Sequence, residues 1–345
     1  MMKAAYLKEK MNIIIRDDRP LPEPDDSQVL IKMEFCGVCG SDVHFYREGK
    51  VGDTPAPKDF ILGHEAAGTI IKAGKNVSGL NPGDRVALEP GYTCGKCEFC
   101  KTGRYNLCPD VQFFAAPPVS GALQEYVVHP ADMCFKLPDN VSTEEGALVE
   151  PLAVGMHAAA QAGVTLGSSV LILGGGCIGL VTLLAAKARG ASNIVVVDLF
   201  QKRLDMAKEM GATAVINAES EDVAARVKEV FGDLGADIVF ETAGAISTIQ
   251  QTPYYVKPGG TVCLVGMAAE SMVNYNFNQI MMKEVTIKSV FRYRNLYPAA
   301  IAAIASGAVN VEQIVTHRFK FEDSDLAFHT AVVHAKDEIK EVIEF

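Results

Sequence analysis

A glycine-rich turn, Gly174-Gly175-Gly176-Cys177-Ile178-Gly179, follows directly on the apolar run 170–173 and opens a helical pattern that extends to Ala188. In a G-x-G-x-x-G turn of this kind the first glycine permits the tight bend and the second lets backbone approach a pyrophosphate. The third lets helix and strand pack closely. Phosphate charge then meets the amino end of the helix. The next apolar run, 194–198, ends on Asp198, 19 residues after Gly179, where a carboxylate can accept from both ribose hydroxyls. Asp198 repels a 2′-phosphate, so NAD is favoured over NADP, although Arg203 nearby could face such a phosphate or simply sit on a solvated helix. Further apolar runs at 214–216, 237–241, 261–266 and 285–290, with helical patterns between them, complete six strands. The expectation is an α/β doubly wound parallel sheet.

The rest of the chain has another texture. At 345 residues it exceeds what one core usually organises, and positions 1 to about 150 carry most prolines, the clustered cysteines and short alternating runs such as 29–35. That reads as a β-rich domain, with the stretch after 290 too short to fold alone. The expected division is 1–153 completed by 291–345, with 154–290 as the dinucleotide-binding domain. A net charge of -10 disfavours nucleic acid and acidic membrane surfaces. The longest apolar stretch, 170–186, is interrupted by four glycines and stops at Lys187, which does not suit a membrane span. Charges among the first fifteen residues leave no signal-peptide core, so a cytoplasmic, reducing setting is expected. Nine cysteines there suggest metal binding or packing rather than disulfides.

Cys94, Cys97, Cys100 and Cys108 are spaced C-x2-C-x2-C-x7-C in a loop containing Gly91, Gly95 and Gly103. Four thiolates converging on one ion form a closed structural zinc site, and an iron–sulfur cluster is the competitor. Cys39, His64, Glu65 and Glu150 are a second set, too widely separated for spacing to define a site. Cys36 and Cys39 could equally be a redox pair, and His64 with Glu65 a polar pair at a strand edge.

The stretch Gly63-His64-Glu65-Ala66-Ala67-Gly68, followed by Gly74 and Val77, resembles the zinc signature of the medium-chain alcohol dehydrogenase/reductase family. Cys39-Gly40-Ser41-Asp42, Pro82-Gly83-Asp84-Arg85-Val86 and the four-cysteine loop match in the same order, over essentially the whole chain. Ser41-Asp42-Val43-His44, Glu89-Pro90, Gly103-Arg104-Tyr105-Asn106-Leu107, Glu150-Pro151-Leu152 and Val290-Phe291-Arg292-Tyr293 resemble its sorbitol/xylitol branch. The resemblance implies a GroES-like catalytic domain built from both chain ends, a Rossmann domain, and an active site in the cleft.

It further implies a catalytic zinc held by Cys39, His64 and Glu65, with Cys36 as packing. Glu150 stands where simple alcohol dehydrogenases place a second cysteine, reaching the metal directly or through water. Charge counting favours water, because Cys39 thiolate and Glu65 carboxylate already neutralise Zn²⁺. Hydride then passes to NAD. The proton leaves through Ser41 and His44, or through water held by Glu150, while Asp42 braces the site. Expected cofactor contacts are Gly174, Gly176, Ile178, Gly179, Asp198, Arg203, Val265, Gly266, Met267, Val290, Phe291 and Arg292. Expected substrate contacts are Phe45, Glu150, Arg292 and Tyr293. Phe45 replaces a tyrosine common in mammalian members, which makes the pocket wall more apolar, and Arg294 is expected to face solvent. The implied activity is oxidation of a sugar alcohol at C2 to the 2-ketose by a homo-oligomer, a tetramer by resemblance. Galactitol, phosphopolyol and threonine dehydrogenases are the enzymatic alternatives, and a non-catalytic nucleotide-binding protein is the remaining one.

Overall fold

A computed structural model describes residues 1–268 and 270–345. The chain divides into two compact units, one of Met1–Glu150, Tyr297–Gly307 and Val315–Phe345, the other of Pro151–Leu296 and Ala308–Ile314. The borders therefore differ from those expected at 153 and 291. Thr143–Ala162 is one continuous helix through Pro151, so the first cut falls inside it. The stretch Ala308–Ile314 joins the second unit because its short turn, Glu312–Ile314, packs on the helix Cys177–Ala188.

The first unit is organised around a seven-stranded sheet among the described residues. Its order is Cys134–Lys136, Arg85–Leu88, Glu65–Ala73, Gln28–Gly37, Glu341–Glu344, His317–Lys320, with Tyr126–Pro130 also paired to Gln28–Gly37. In Gln28–Gly37 Val29, Ile31 and Met33 are buried on one face of the strand, while on the other face Leu30 is buried and Lys32 exposed. Irregularities at Leu30/Ile31 and Met33/Phe35 shift the pairing with Glu65–Ala73, so that Gly37 ends opposite Glu65. In the chain's last stretch a helix spans Ser324–Val333. The end of that stretch, Glu341–Glu344, is a strand because Val342 and Ile343 are buried between Gln28–Gly37 and His317–Lys320.

The second unit holds the six-stranded parallel sheet: Ser169–Leu173, Asn193–Asp198, Ala214–Asn217, Ala236–Glu241, Val256–Leu264 and Thr286–Ser289. Numbered along the chain, their spatial order is 3-2-1-4-5-6, the doubly wound arrangement read from the sequence. Its central strands read as continuous apolar runs because both faces are covered: Leu171, Ile172, Val195, Val196 and Val239 are all fully buried.

The glycine turn connects the first of these strands to Cys177–Ala188. Gly174 has φ of 109°, and a Cβ on Gly179 would lie 1.9 Å from Gly174 O. Replacing Gly179 by alanine is therefore expected to destabilise the second unit by about 3 kcal/mol, as overpacking does, and to weaken dinucleotide binding with it. Denaturation and cofactor titration of the variant check this; a melting point equal to wild type contradicts it.

Candidate active site

The four-cysteine loop closes on itself. Cys97 and Cys100 Sγ atoms are 3.4 Å apart, Cys94 and Cys108 3.6 Å, and Cys94 and Cys100 4.0 Å. These are too long for disulfides. Four sulfurs at zinc–sulfur distance form a tetrahedron with edges of about 3.8 Å, so the residues present fit a closed zinc site. The short helix Glu98–Lys101 supplies Cys100, and backbone N–H groups of Cys97 and Cys100 donate to Cys94 and Cys97 Sγ.

The other set converges where two strands meet. Cys39 stands just past Gln28–Gly37 as the N-cap of the helix Gly40–Glu48, while His64 and Glu65 begin the neighbouring strand. One ligand atom from each lies within 4.8 Å of the other two. Thiolate, imidazole and carboxylate with one position open is a donor set that fits catalytic zinc. Glu150, although buried, is not part of this cluster. Asp42, 1% exposed, lies 3.2 Å from His64 Nδ1, which turns the other ring nitrogen towards the ligand cluster. Gly37 is required here, since a Cβ would meet Glu65 Oε2 at 2.1 Å.

Sequence reasoning missed Lys340. Its Nζ, 2% exposed, donates to Glu65 Oε1 and Oε2 at 2.8 and 2.7 Å and to Val38 O at 2.9 Å. A lone lysine beside apolar residues near the chain end gives no signal until the terminal strand is paired.

Ser41 Oγ lies 3.5 Å from Cys39 Sγ. His44, one turn on along the same helix face, is half-exposed and 3.6 Å from Glu48. Phe45 is buried, edge-on to Phe60, on the helix face that also turns Asp42 and Tyr46 inward. Tyr46 is aimed elsewhere, its hydroxyl donating to Asp325.

Glu89 is a second residue whose role was not legible. It is buried, it accepts from Tyr105 Oη at 2.6 Å, and its carbonyl lies 2.8 Å from His129 Nε2. Burial pushes its carboxyl up to about 7; the Tyr105 hydrogen bond opposes this and the charge of Glu150 adds to it. Tyr105 belongs to the turn Tyr105–Leu107, just before Cys108, so the four-cysteine loop touches a buried carboxylate near Glu150.

In the second unit, Gly174–Gly179, Asp198, Val265–Met267 and Val290–Phe291 follow the carboxyl ends or occupy the last positions of parallel strands, the edge where open α/β sheets take ligands. Ile178 lies in the first turn of Cys177–Ala188. Asp198 Oδ2 accepts from Gly175 N at 2.7 Å and Oδ1 from Phe200 N at 2.9 Å. Arg203 is not on a solvated face: its Nη1 lies 3.8 Å from Asp198 Oδ2 and its guanidinium covers the Phe200 ring. Arg292 has φ of 56°, a left-handed conformation costly for a side-chain residue, and stacks on Phe291, while Tyr293 is buried. Arg294 does not simply face solvent; it is half-buried and near enough to buried His157 to help lower that ring, after burial, to about 4.

Residues 25–139 match the family model for the alcohol dehydrogenase GroES-like domain, and 177–306 that for zinc-binding dehydrogenases. The chain is 47% identical to sorbitol dehydrogenase of Bos taurus over 95% of its length and 94% of that protein's. It superposes with TM-score 0.96 on an Escherichia coli oxidoreductase/dehydrogenase of unknown specificity, at 47% identity and covering 100% and 99% of the two chains. A zinc-binding dehydrogenase from Sinorhizobium meliloti bound to NADP matches with TM-score 0.89 and 30% identity, covering 100% and 99%.

Glu89 generates a pH prediction. With its ordinary value of 4.5 in the unfolded chain and about 7 when folded, the folded state binds the extra proton between those values. Its contribution therefore declines as pH rises from 4.5 to 7. The groups facing it are Tyr105 and Glu150, with His129 at its carbonyl. Glu89→Gln should gain stability relative to wild type between pH 5 and 8, by at most about 3 kcal/mol. Denaturant melts across that range measure it; a pH-independent difference overturns it.

Proposed function

The chain belongs to the zinc-dependent medium-chain alcohol dehydrogenase family, and from that premise we propose that it oxidises a sugar alcohol of the sorbitol or xylitol type at C2, with NAD as acceptor. The observation that carries the reading is the ligand cluster itself: Glu65 joins Cys39 and His64, while Glu150 stands outside. Likeness to sorbitol dehydrogenases over nearly the whole chain supports the substrate class.

When bound, zinc supplies the Lewis acidity that makes a substrate hydroxyl acidic, and the nicotinamide accepts the hydride. Cys39, His64 and Glu65 would hold the metal and leave one position open for substrate. Asp42 keeps the His64 ring oriented. Glu150, outside the ligand cluster, holds water or a neighbouring hydroxyl. Ser41, next to Cys39, accepts the proton, and His44, one turn away and open to solvent, releases it; Glu150 offers the rival route. Arg292 binds hydroxyls beyond the reacting carbon, a task consistent with its strained backbone. Asp198 accepts from the ribose hydroxyls and selects NAD. The enzyme is read as a cytoplasmic homo-oligomer. Its free thiols suit a reducing compartment. The edge strand Thr286–Ser289 is exposed throughout, with Met281 and Met282 exposed just before it, which favours self-association.

Two experiments test this. Kinetics across sorbitol, xylitol, galactitol, a phosphopolyol, threonine, 2-propanol and 2,3-butanediol should show polyols preferred. Arg292→Leu should reduce the polyol-to-2-propanol efficiency ratio about tenfold or more, since the missing partner leaves hydroxyls unpaired. Wild-type activity confined to simple alcohols removes the polyol reading. Asp198→Ala should weaken NAD and narrow its advantage over NADP, measured as kcat/KM for each; a wild-type enzyme that already prefers NADP refutes the assignment to Asp198.

A further inference from the structure

Lys340 alters the charge count of the metal centre. It sits immediately before the terminal strand Glu341–Glu344 and is buried, and its ammonium satisfies both oxygens of Glu65. The same segment is tied to the end of Gln28–Gly37 twice more, by Lys340 Nζ to Val38 O and by Val38 N to Glu341 O, both 2.9 Å. A buried carboxylate without a partner is costly, and the other polar groups converging here include Cys39 and His64, which Glu65 joins in the ligand cluster, and Asp42 beside His64.

We propose that Lys340 is a positioning residue that competes with the catalytic metal for Glu65 and leaves the loaded centre one positive charge richer. The inference rests on the reading of Glu65 as a ligand. In the metal-free protein Lys340 compensates the Glu65 charge and holds the carboxylate opposite Gly37, so the ligand set is formed beforehand. In the loaded protein Cys39 thiolate, Glu65 carboxylate and the Asp42 carboxylate beside His64 outweigh a divalent ion by one negative charge, and Lys340 brings the buried cluster back to neutrality. Like charges repel at short range, so Lys340 lowers metal affinity. The same added positive charge favours an ionised substrate oxygen. The lysine thus exchanges tightness of binding for acidity. Because it precedes the terminal strand, docking of that strand and occupancy of the centre are linked, and each biases the other.

The test compares wild type with Lys340→Met and Lys340→Arg, each as the full chain in zinc-loaded and chelator-stripped form. Readouts are zinc per chain, the zinc-induced rise in melting temperature, and competition with a chelator for the more labile ion. Lys340→Met should melt lower than wild type when stripped, show a larger zinc-induced rise, and hold the labile ion about tenfold more tightly. Its kcat should fall although fully loaded. Lys340→Arg, which keeps the charge, should stay near wild type on all four measures. If Lys340→Met does not fold, Lys340→Gln, which keeps a donor without the charge, carries the same comparison. An unchanged zinc-induced rise and unchanged chelator competition in the uncharged variant overturn the proposal. Glu65→Ala separates the two levels. If it loses one ion and keeps the four-cysteine ion, the ligand assignment stands and the Lys340 result is decisive by itself. If it keeps both ions, the ligand assignment fails.

Discussion

Antiparallel pairing of Gln28–Gly37 with Glu65–Ala73 places Gly37 opposite Glu65, and the metal centre is built outward from that contact. Because Gly37 has no side chain, the Glu65 carboxylate occupies space over the neighbouring strand that a Cβ would fill. Two residues further on, the chain leaves the sheet at Cys39 and turns into Gly40–Glu48, so the thiol arrives beside His64 and Glu65 without a long loop. A one-residue slip in this register would send Glu65 to the other face and dissolve the cluster. The two irregularities in the pairing therefore have a positional meaning. They fix which residue stands opposite Gly37.

Around that contact the first unit buries an unusual number of ionisable groups: Glu65 with Lys340, His64 with Asp42, and Glu89 near Glu150. Ion pairs of this kind contribute little net stability, and breaking one leaves a buried charge that costs several kcal/mol. What they provide is orientation. Asp42 settles which ring nitrogen of His64 meets the ligand cluster, and Lys340 settles where Glu65 lies. The Tyr105 bond to Glu89 extends the same logic to the four-cysteine loop, whose closure keeps the tyrosine against the core. A closed zinc site placed there contributes to the electrostatics of the catalytic unit as well as to the stability of its own loop.

Local signals made much of this legible. The glycine turn, Asp198 and the six apolar runs carry the doubly wound parallel sheet in their own pattern, and three cysteines within seven loop residues suffice to suggest a closed metal site. The cluster of Cys39, His64 and Glu65 emerged only by resemblance, because a strand register, not a spacing, brings Cys39 to His64. Residues defined by distant pairing were read less well. The terminal strand Glu341–Glu344 was not legible because one of its two partners, Gln28–Gly37, lies near the other end of the chain, and Lys340 went unnoticed for the same reason. The burial of Phe45 was likewise not legible, because a motif does not say which face of a helix is turned inward.

Cofactor choice shows how two readings of one position can both describe the molecule. Asp198 is held by the backbone N–H groups of Gly175 and Phe200, so its carboxylate is fixed at the strand end before any ligand arrives. Arg203 stands beside it, stacked on Phe200, with its guanidinium within reach of a group near Gly176. A carboxylate at this place disfavours an extra phosphate and a guanidinium attracts one, so the two side chains pull the choice of dinucleotide in opposite directions. Discrimination therefore depends on the side chains at this strand end more than on the sheet beneath them. Since the carboxylate is anchored by two backbone donors and the arginine by stacking, Asp198 has the less adjustable position. Moving it would break its bond from Gly175 N and so disturb the glycine turn as well.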